Sequence, residues 1–92
     1  MILGKYKKQP NEVLDYDVSY ADFFSNRTDT VASVTVVAQT GLTVVSTERD
    51  GLVVKTILSG GTDGTTYKVT LTLTTTTGIV KEDEFYIAVK EI

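Results

Sequence analysis

TTYKVTLTLTTTTG, which spans Thr65–Gly78, is the stretch of sequence that decides the fold. Its apolar side chains alternate without interruption against polar ones; they are Tyr67, Val69, Leu71 and Leu73. A period of two residues places the apolar set on one face of a β-strand and the polar set on the other. At roughly 3.3 Å per residue this strand is about 30 Å long, which exceeds the usual strand length. We therefore expect a central strand that is paired along its whole length.

The composition indicates a single all-β domain. Thirteen valines and sixteen threonines make up nearly a third of the 92 residues. β-branched side chains fit a pleated, half-buried surface better than a helix, and this length is close to that of one immunoglobulin-like sandwich. We predict an immunoglobulin-like antiparallel β-sandwich of six to seven strands with one short helical turn.

Several classes of protein are disfavoured by the composition. The absence of cysteine removes disulfides and thiolate metal sites. No apolar run reaches the roughly 18 residues of a membrane-spanning helix, and the charges that follow Met1 do not suit a signal peptide. A net charge of −3 with scattered basic residues gives no footprint for nucleic acid. We expect a soluble, complete domain made without export, with neither nucleic acid nor membrane as a partner.

Alternation also predicts the other strands, which are Val13–Ser19, Thr30–Ala38, Leu42–Thr47, Leu52–Leu58 and Phe85–Val89. The turn Glu48–Gly51 contains an Asp-Gly pair, which favours the positive φ angles of a tight hairpin. A second turn at Thr76–Gly78 leads into the last part of the chain, where we expect a bend at the charged Glu82–Glu84 segment. The last strand should then pair antiparallel with the central one.

The first eleven residues have no clear period. We expect residues 1–11 to form an extended N-terminal arm and residues 12–92 to form the sandwich domain, because Pro10 fixes its own φ and disfavours helix before it. Two interpretations of the arm remain open: it is ordered by a partner, or it is a frayed terminus.

The loop Ser59–Gly64 is rich in glycine but does not predict a nucleotide site. It lacks the Gly-Lys-Ser/Thr ending of a phosphate-binding loop, and no helix follows it. Asp63 and Gly64 instead precede Tyr67 at the first inward position of the central strand. This is the arrangement of a tyrosine corner, in which the tyrosine hydroxyl bonds to the backbone of the preceding loop.

Catalytic chemistry has few residues to use. Without histidine or cysteine, the usual nucleophile and base pairs are absent. Asp15 and Asp17 share one strand face and suit a solvated surface better than a catalytic pair. A calcium site could draw only on scattered carboxylates without EF-hand spacing, namely Asp15, Asp17, Asp50 and Asp63. We predict no enzymatic activity, no cofactor and no metal site.

Aromatic side chains are the better indication of function, because there are more of them than one small core can use. Tyr20, Phe23 and Phe24 have the spacing of one helical turn that plugs the open end of the sandwich, so core roles compete with contact roles for this segment. The candidate protein-contact residues are Tyr6, Lys8, Pro10, Tyr20, Phe23, Phe24 and Tyr86.

The chain is similar to a family of small phage and prophage fibre-tail adaptors, which are immunoglobulin-like virion proteins. The segments that carry the resemblance are Lys8–Glu12, Leu14–Asp17, Leu58–Tyr67 with the strand after it, Val80–Phe85 and Val89–Ile92. The extension Met1–Lys7 departs from the family pattern and could be this chain's own contact arm.

The resemblance implies a non-enzymatic virion structural protein that joins the tail or neck to tail fibres as an oligomeric assembly. Its partners would be other virion proteins and further copies of itself. Its location would be the tail or neck of the particle, after assembly in the host cytoplasm. The alternative is a carbohydrate-binding or cell-surface adhesion module, for which sugar binding would depend on Tyr6 or Tyr86.

Overall fold

The computed structural model describes residues 1–92 and contains seven β-strands and one short helix. In chain order they are β1 (Ile2–Lys8), β2 (Leu14–Ser19), α1 (Ala21–Phe24), β3 (Val31–Ala38), β4 (Leu42–Asp50), β5 (Val53–Gly60), β6 (Thr66–Thr75) and β7 (Val80–Val89). Strands hold 63% of the residues and the helix 4%, so the predicted all-β class is confirmed.

The strands form two sheets that face each other. One sheet has the order β1-β7-β6-β3, and the other has the order β2-β5-β4. Every neighbouring pair is antiparallel except β1 and β7, which are parallel. The predicted antiparallel sandwich therefore has one exception, at the edge of its larger sheet.

The alternation in β6 sets the position of the core. All four predicted inward side chains of β6 are buried, and β7 adds Phe85, Ile87 and Val89 to the same face. Val54 and Leu58 of β5 cover them from the other sheet. β-branched and leucine side chains interdigitate here, as expected for the inner faces of a sandwich.

The predicted bend at Glu82–Glu84 is wrong, because β7 runs without interruption and pairs with β6 on both sides of this segment. Asp83 therefore keeps the alternation and lies inward, with 1% of its side chain exposed. The Lys81 ammonium lies 3.0 Å from its carboxylate and compensates the buried charge. Sequence charge suggested a bend, but the backbone ladder decided the conformation.

The predicted N-terminal arm is extended but does not stand apart from the domain. Ile2–Lys8 is β1, and it pairs with β7 from Glu84 to Val89. Backbone hydrogen bonds hold it, so no alternation of apolar residues was needed in its sequence. The boundary predicted between residues 11 and 12 therefore does not separate two structural units.

Smaller differences lie in β3 and β4. β4 extends to Asp50, so that Gly51, with φ of 58°, and Leu52 make the two-residue hairpin loop. In β3 the register shifts between Val31 and Ser33, which turns Val31 toward the core and leaves Ala32 exposed. A β-bulge of this kind adds one residue and changes the alternation.

The loop between β5 and β6 is fixed to the end of β7. The Tyr67 hydroxyl accepts a hydrogen bond from the Thr62 N–H of this loop at 2.9 Å. Asp63 accepts one from the Glu91 N–H at 2.8 Å, and the Gly64 N–H donates to the Val89 carbonyl at 2.8 Å.

Gly61 is required by this close approach. Its φ is 97°, and a Cβ there would lie 2.5 Å from Val89 Cγ2. Any other residue would be strained and would also displace β7.

Replacing Tyr67 with Phe removes the acceptor of the Thr62 N–H, and we expect thermal unfolding about 5 °C lower, the shift that follows from one lost hydrogen bond. Tyr86→Phe is the matched control, because its hydroxyl meets only Glu84 on an outer sheet face. Equal unfolding temperatures for the two variants would contradict the role of Tyr67 as a tyrosine corner.

Asp29 joins the loop after α1 to the β6–β7 turn. Its carboxylate accepts hydrogen bonds from the Thr76 hydroxyl at 2.8 Å and the Thr77 hydroxyl at 2.6 Å. Hydrogen bonding by Thr75 and Thr77, with further bonds from Thr76 and the Thr30 N–H, holds the pKa of Asp29 well below its ordinary value of 3.8.

Because the folded pKa of Asp29 is lowered, its stabilising effect is complete above pH 3.8 and is lost as the pH falls through the folded value. We expect Asp29→Asn to lower the denaturation midpoint at pH 7, and the difference from wild type to shrink toward about pH 2. Chemical denaturation across this range measures it, with the exposed Asp22→Asn as the control. A difference in midpoint between wild type and Asp29→Asn that becomes larger as the pH falls would contradict stabilisation by the Asp29 carboxylate.

Candidate protein-interaction site

Acidic side chains and the single short helix are possible functional features. No group of three or more Asp and Glu side chains is placed to hold a metal ion. No helix has the length and apolar character needed to cross a bilayer. Asp15 and Asp17 are exposed, as predicted for a solvated strand face. Accessible aromatic side chains and free strand edges are the remaining surface features that can bind a partner.

Three aromatic rings meet where the β1 edge of one sheet faces the β2 edge of the other. The Tyr6 ring centroid lies 5.6 Å from that of Tyr16 and 5.8 Å from that of Phe85, and Tyr16 lies 5.7 Å from Phe85. These distances are typical of favourable aromatic pairs. Leu3 and Val18 complete the apolar lining, and we call these five residues the aromatic seam.

The aromatic seam forms a cavity of about 240 Å³ that is open to solvent, with Asp15 and Asp17 at its rim. Tyr6 is 45% exposed, so much of its ring is available for contact. The Tyr16 hydroxyl is buried and has no hydrogen-bond partner in the chain. Burial, with the charges of Glu12 and Asp15 adding to it, raises the pKa of Tyr16, so its hydroxyl stays protonated and able to donate.

Lys8 positions β1, and with it Tyr6. Its side chain is 1% exposed, and its ammonium donates to the carbonyls of Gly60 at 2.7 Å, Gln9 at 2.9 Å and Pro10 at 3.4 Å. Burial lowers the pKa of Lys8, and the nearby Glu12 carboxylate partly offsets this effect. The three carbonyls replace the hydration of a buried charge. Lys8 was predicted to contact a partner, and that prediction is wrong because its charge is satisfied within the chain.

The α1 segment also differs from the predicted contact surface. Tyr20 and Phe24 are buried in the core, so neither reaches a partner. Both instead close the end of the sandwich, which was the other role expected for this segment. Burial, with the charge of Asp83, raises the pKa of Tyr20 to about 12. Phe23 is half-buried, and the Arg27 guanidinium lies 4.3 Å from its ring centroid. A cation over the ring shields this face of Phe23 from solvent.

The remaining predicted contact residues lie apart from the aromatic seam. Tyr86 is on the outer face of β7, where its hydroxyl donates to the Glu84 carboxylate at 2.6 Å and the Lys5 ammonium lies 5.9 Å from its ring. That hydrogen bond is the main reason that the pKa of Tyr86 is raised. Pro10 is half-buried in the turn after β1. Only Tyr6 of the seven predicted residues belongs to the seam.

Sequence reasoning missed Leu3, Tyr16 and Phe85 as seam residues. Tyr16 and Phe85 occupy inward positions of their strands, and inward aromatics are normally core residues. Tyr16 is half-buried and Phe85 is 1% exposed, so both belong to the core side of the seam. They line the cavity only because it opens between β1 and β2, where Tyr6 of β1 lies over them. No sequence signal located the pairing of β1 with β7 in advance.

A family model described as podophage GP4 fiber-tail adaptor protein gp77 matches residues 8–88, from the last residue of β1 almost to the end of β7. No curated protein matches the chain.

Lys8→Met removes the partner of the buried Gly60 carbonyl, and we expect it to lower the free energy of unfolding by about 1 to 3 kcal/mol. Amide hydrogen exchange in β1 should become faster, because Lys8 fixes the end of that strand. Lys7→Met is the control, since Lys7 is exposed and should change stability by less than about 0.5 kcal/mol. Unchanged exchange in Ile2–Lys8 would disprove the anchoring role.

Proposed function

Because the chain belongs to the family of the podophage GP4 fiber-tail adaptor protein gp77, we propose that it is a non-enzymatic virion protein that joins the phage tail or neck to tail fibres. The aromatic seam is the single structural feature that carries the proposed binding mode. It would receive an extended segment of a tail or fibre protein.

The strand edges beside the seam support this binding mode. β1 and β2 each end a sheet, so each has one edge without a neighbouring strand. An extended peptide can add to such an edge through backbone hydrogen bonds, while side-chain pockets select its sequence. The seam supplies an apolar pocket at this edge, and Tyr6, which is 45% exposed, is placed to contact the incoming segment.

Charge at the rim indicates the chemistry of the segment. Asp15 and Asp17 border the cavity, and only Asp15 has a cationic partner, the Lys55 ammonium at 3.7 Å. A basic side chain next to an apolar one would match a carboxylate beside an aromatic pocket. The preferred segment is therefore apolar at its centre and carries lysine or arginine.

The size of the seam favours several copies in the particle. A specific interface uses about 20 to 30 residues on each partner, whereas β1 has seven residues and the seam has five. Several weak contacts that act together reach high avidity without a larger interface. We therefore propose a homo-oligomeric assembly in the virion tail or neck, formed in the host cytoplasm.

The strand arrangement favours an immunoglobulin-like domain within the all-β class. β2-β5-β4 facing β7-β6-β3 corresponds to the B-E-D and G-F-C strands of immunoglobulin domains. The Tyr67 hydrogen bond stands where those domains have their tyrosine corner. Such a sandwich is a rigid unit on which binding edges can be presented.

Phage particles assembled with a Tyr6→Ala chain test the proposal. We expect at least about a tenfold loss of the adaptor or of fibres from purified virions, because the main accessible ring of the seam is removed. Ile79→Ala is the control, since Ile79 is 44% exposed but lies beyond the β6–β7 turn. Quantitative mass spectrometry of purified particles gives the measurement, with thermal unfolding of both variants as the check on folding.

Two results would oppose the proposal. Absence of the wild-type chain from purified virions would exclude the adaptor function. Saturable binding of a mono- or oligosaccharide that is lost in Tyr6→Ala would favour the carbohydrate-binding alternative, in which an aromatic ring and two carboxylates contact a sugar.

A further inference from the structure

The two outer sheet faces carry opposite charge, and we propose that they bind each other in neighbouring copies of this chain. This inference rests on the proposed assembly in the virion and assigns its contact between copies. The contact would be heterologous, with different surfaces on the two partners.

The outer face of the β2-β5-β4 sheet is acidic. We define the acidic face by its exposed carboxylates and the lysine between them, which are Asp15, Asp17, Glu48, Asp50 and Lys55. The pairing register places Asp17, Lys55 and Glu48 in one row across the three strands. The exposed Arg49 guanidinium lies beside these residues and donates to the Gly51 carbonyl at 2.7 Å. Four carboxylates therefore stand against two cations, Lys55 and Arg49, and a smaller excess of negative charge remains.

The outer face of the β1-β7-β6-β3 sheet is basic at one end. We define the basic face by Lys5, Lys7 and Lys68, together with Lys90 just past β7. The register places Lys5, Tyr86 and Lys68 in one row across β1, β7 and β6. Glu84 borders this row, since its carboxylate accepts the Tyr86 hydrogen bond, and Glu91 follows Lys90. Four lysines therefore stand against two carboxylates at this end, and Glu82 lies farther along β7, toward the β6–β7 turn.

The two faces lie at opposite ends of the long axis, which extends 45 Å. The Tyr20 N–H donates to the Leu52 carbonyl, so α1 lies beside the β4–β5 turn, close to Glu48 and Asp50. Asp29, just after α1, bonds to the β6–β7 turn, so both turns are at the same end. Lys68 and Lys90 are near the other ends of these strands.

This placement determines how two copies fit together. If two copies packed face to face without an offset along the long axis, Glu82 and Glu84 of one copy would lie against the acidic face of the other. Like charges at an interface are unfavourable. A shift along the long axis brings the basic face over the acidic face and removes this repulsion. Repeating the shifted contact produces a closed ring or an open stack, as heterologous contacts do.

The contact area agrees with assembly on a template. About half of a 45 × 21 Å face is roughly 500 Å² per copy, which is below the size of a stable pairwise interface. Association of the free chain should therefore be weak and strongly dependent on salt, because the charges are exposed and screened. Closure of a ring or attachment to the tail would supply the remaining stability.

Charge reversal with complementation tests the contact. One variant combines Glu48→Lys with Asp50→Lys, and the other combines Lys7→Glu with Lys68→Glu. Asp15 and Asp17 belong both to the acidic face and to the rim of the aromatic seam, so they are left unchanged, and none of the four altered positions lines the seam or its rim. Sedimentation velocity of each purified chain at low salt should show self-association at least about tenfold weaker than that of wild type. A 1:1 mixture of the two variants should associate again, because each then meets the opposite charge.

Each outcome decides the inference. A wild-type chain that stays monomeric at about 1 mM in low salt, where electrostatic association is strongest, would overturn it, as would a mixture that does not associate. Association that neither reversal weakens would show a different contact, such as pairing of strand edges. If the wild-type chain is present in virions but the two charge-reversed variants do not associate, the proposed function stands and the contact between copies is excluded. If the variants associate but the wild-type chain is absent from virions, the contact stands and the proposed function is excluded.

Discussion

β6 and β7 pair antiparallel from Thr66 to Thr74, and the other elements are positioned by this pair. Its inner face is almost entirely apolar, so it must be covered, and β5 of the second sheet covers it. Its outer edges carry β3 and β1, and α1 closes one end with Tyr20 and Phe24. Removing apolar area from water provides most of the stability of such a small domain. The residues at the surface are therefore free to vary with the binding task.

Much of this arrangement could be predicted from the period of two. The inward positions of β5 and β6 are correct because burial of one sheet face constrains every second residue. Asp83 and Lys8 were misread for the opposite reason. Each is a charged residue in a buried position. The Gly60 carbonyl reaches Lys8 only in the folded chain, and Lys81, two residues from Asp83, shares a strand face with it only because β7 runs straight through this segment. Charge in a sequence is normally a sign of solvent, and only tertiary structure shows where a charge is compensated.

The aromatic seam illustrates the same limit at the level of function. Tyr6 was predicted as a contact residue because the chain has more aromatic side chains than one small core can use, whereas Tyr16 and Phe85 are indistinguishable from core residues by alternation. The pairing of β1 with β7 involves residues more than 80 positions apart, and it depends on backbone groups that every sequence possesses. The fold could therefore be read from local patterns, but the site depends on a distant contact that has no side-chain signature.

The parallel direction of β1 and β7 has a mechanical consequence. Tension applied between the start of β1 and the end of β7 acts along both strands in shear, so their cross-strand bonds bear the load together instead of opening one after another. Lys8 and its three carbonyl partners lie at the far end of the paired strands and fix the end of β1 there. A molecule built this way resists being pulled lengthwise far better than being peeled from one edge, which suits a joint between two bodies that move against each other.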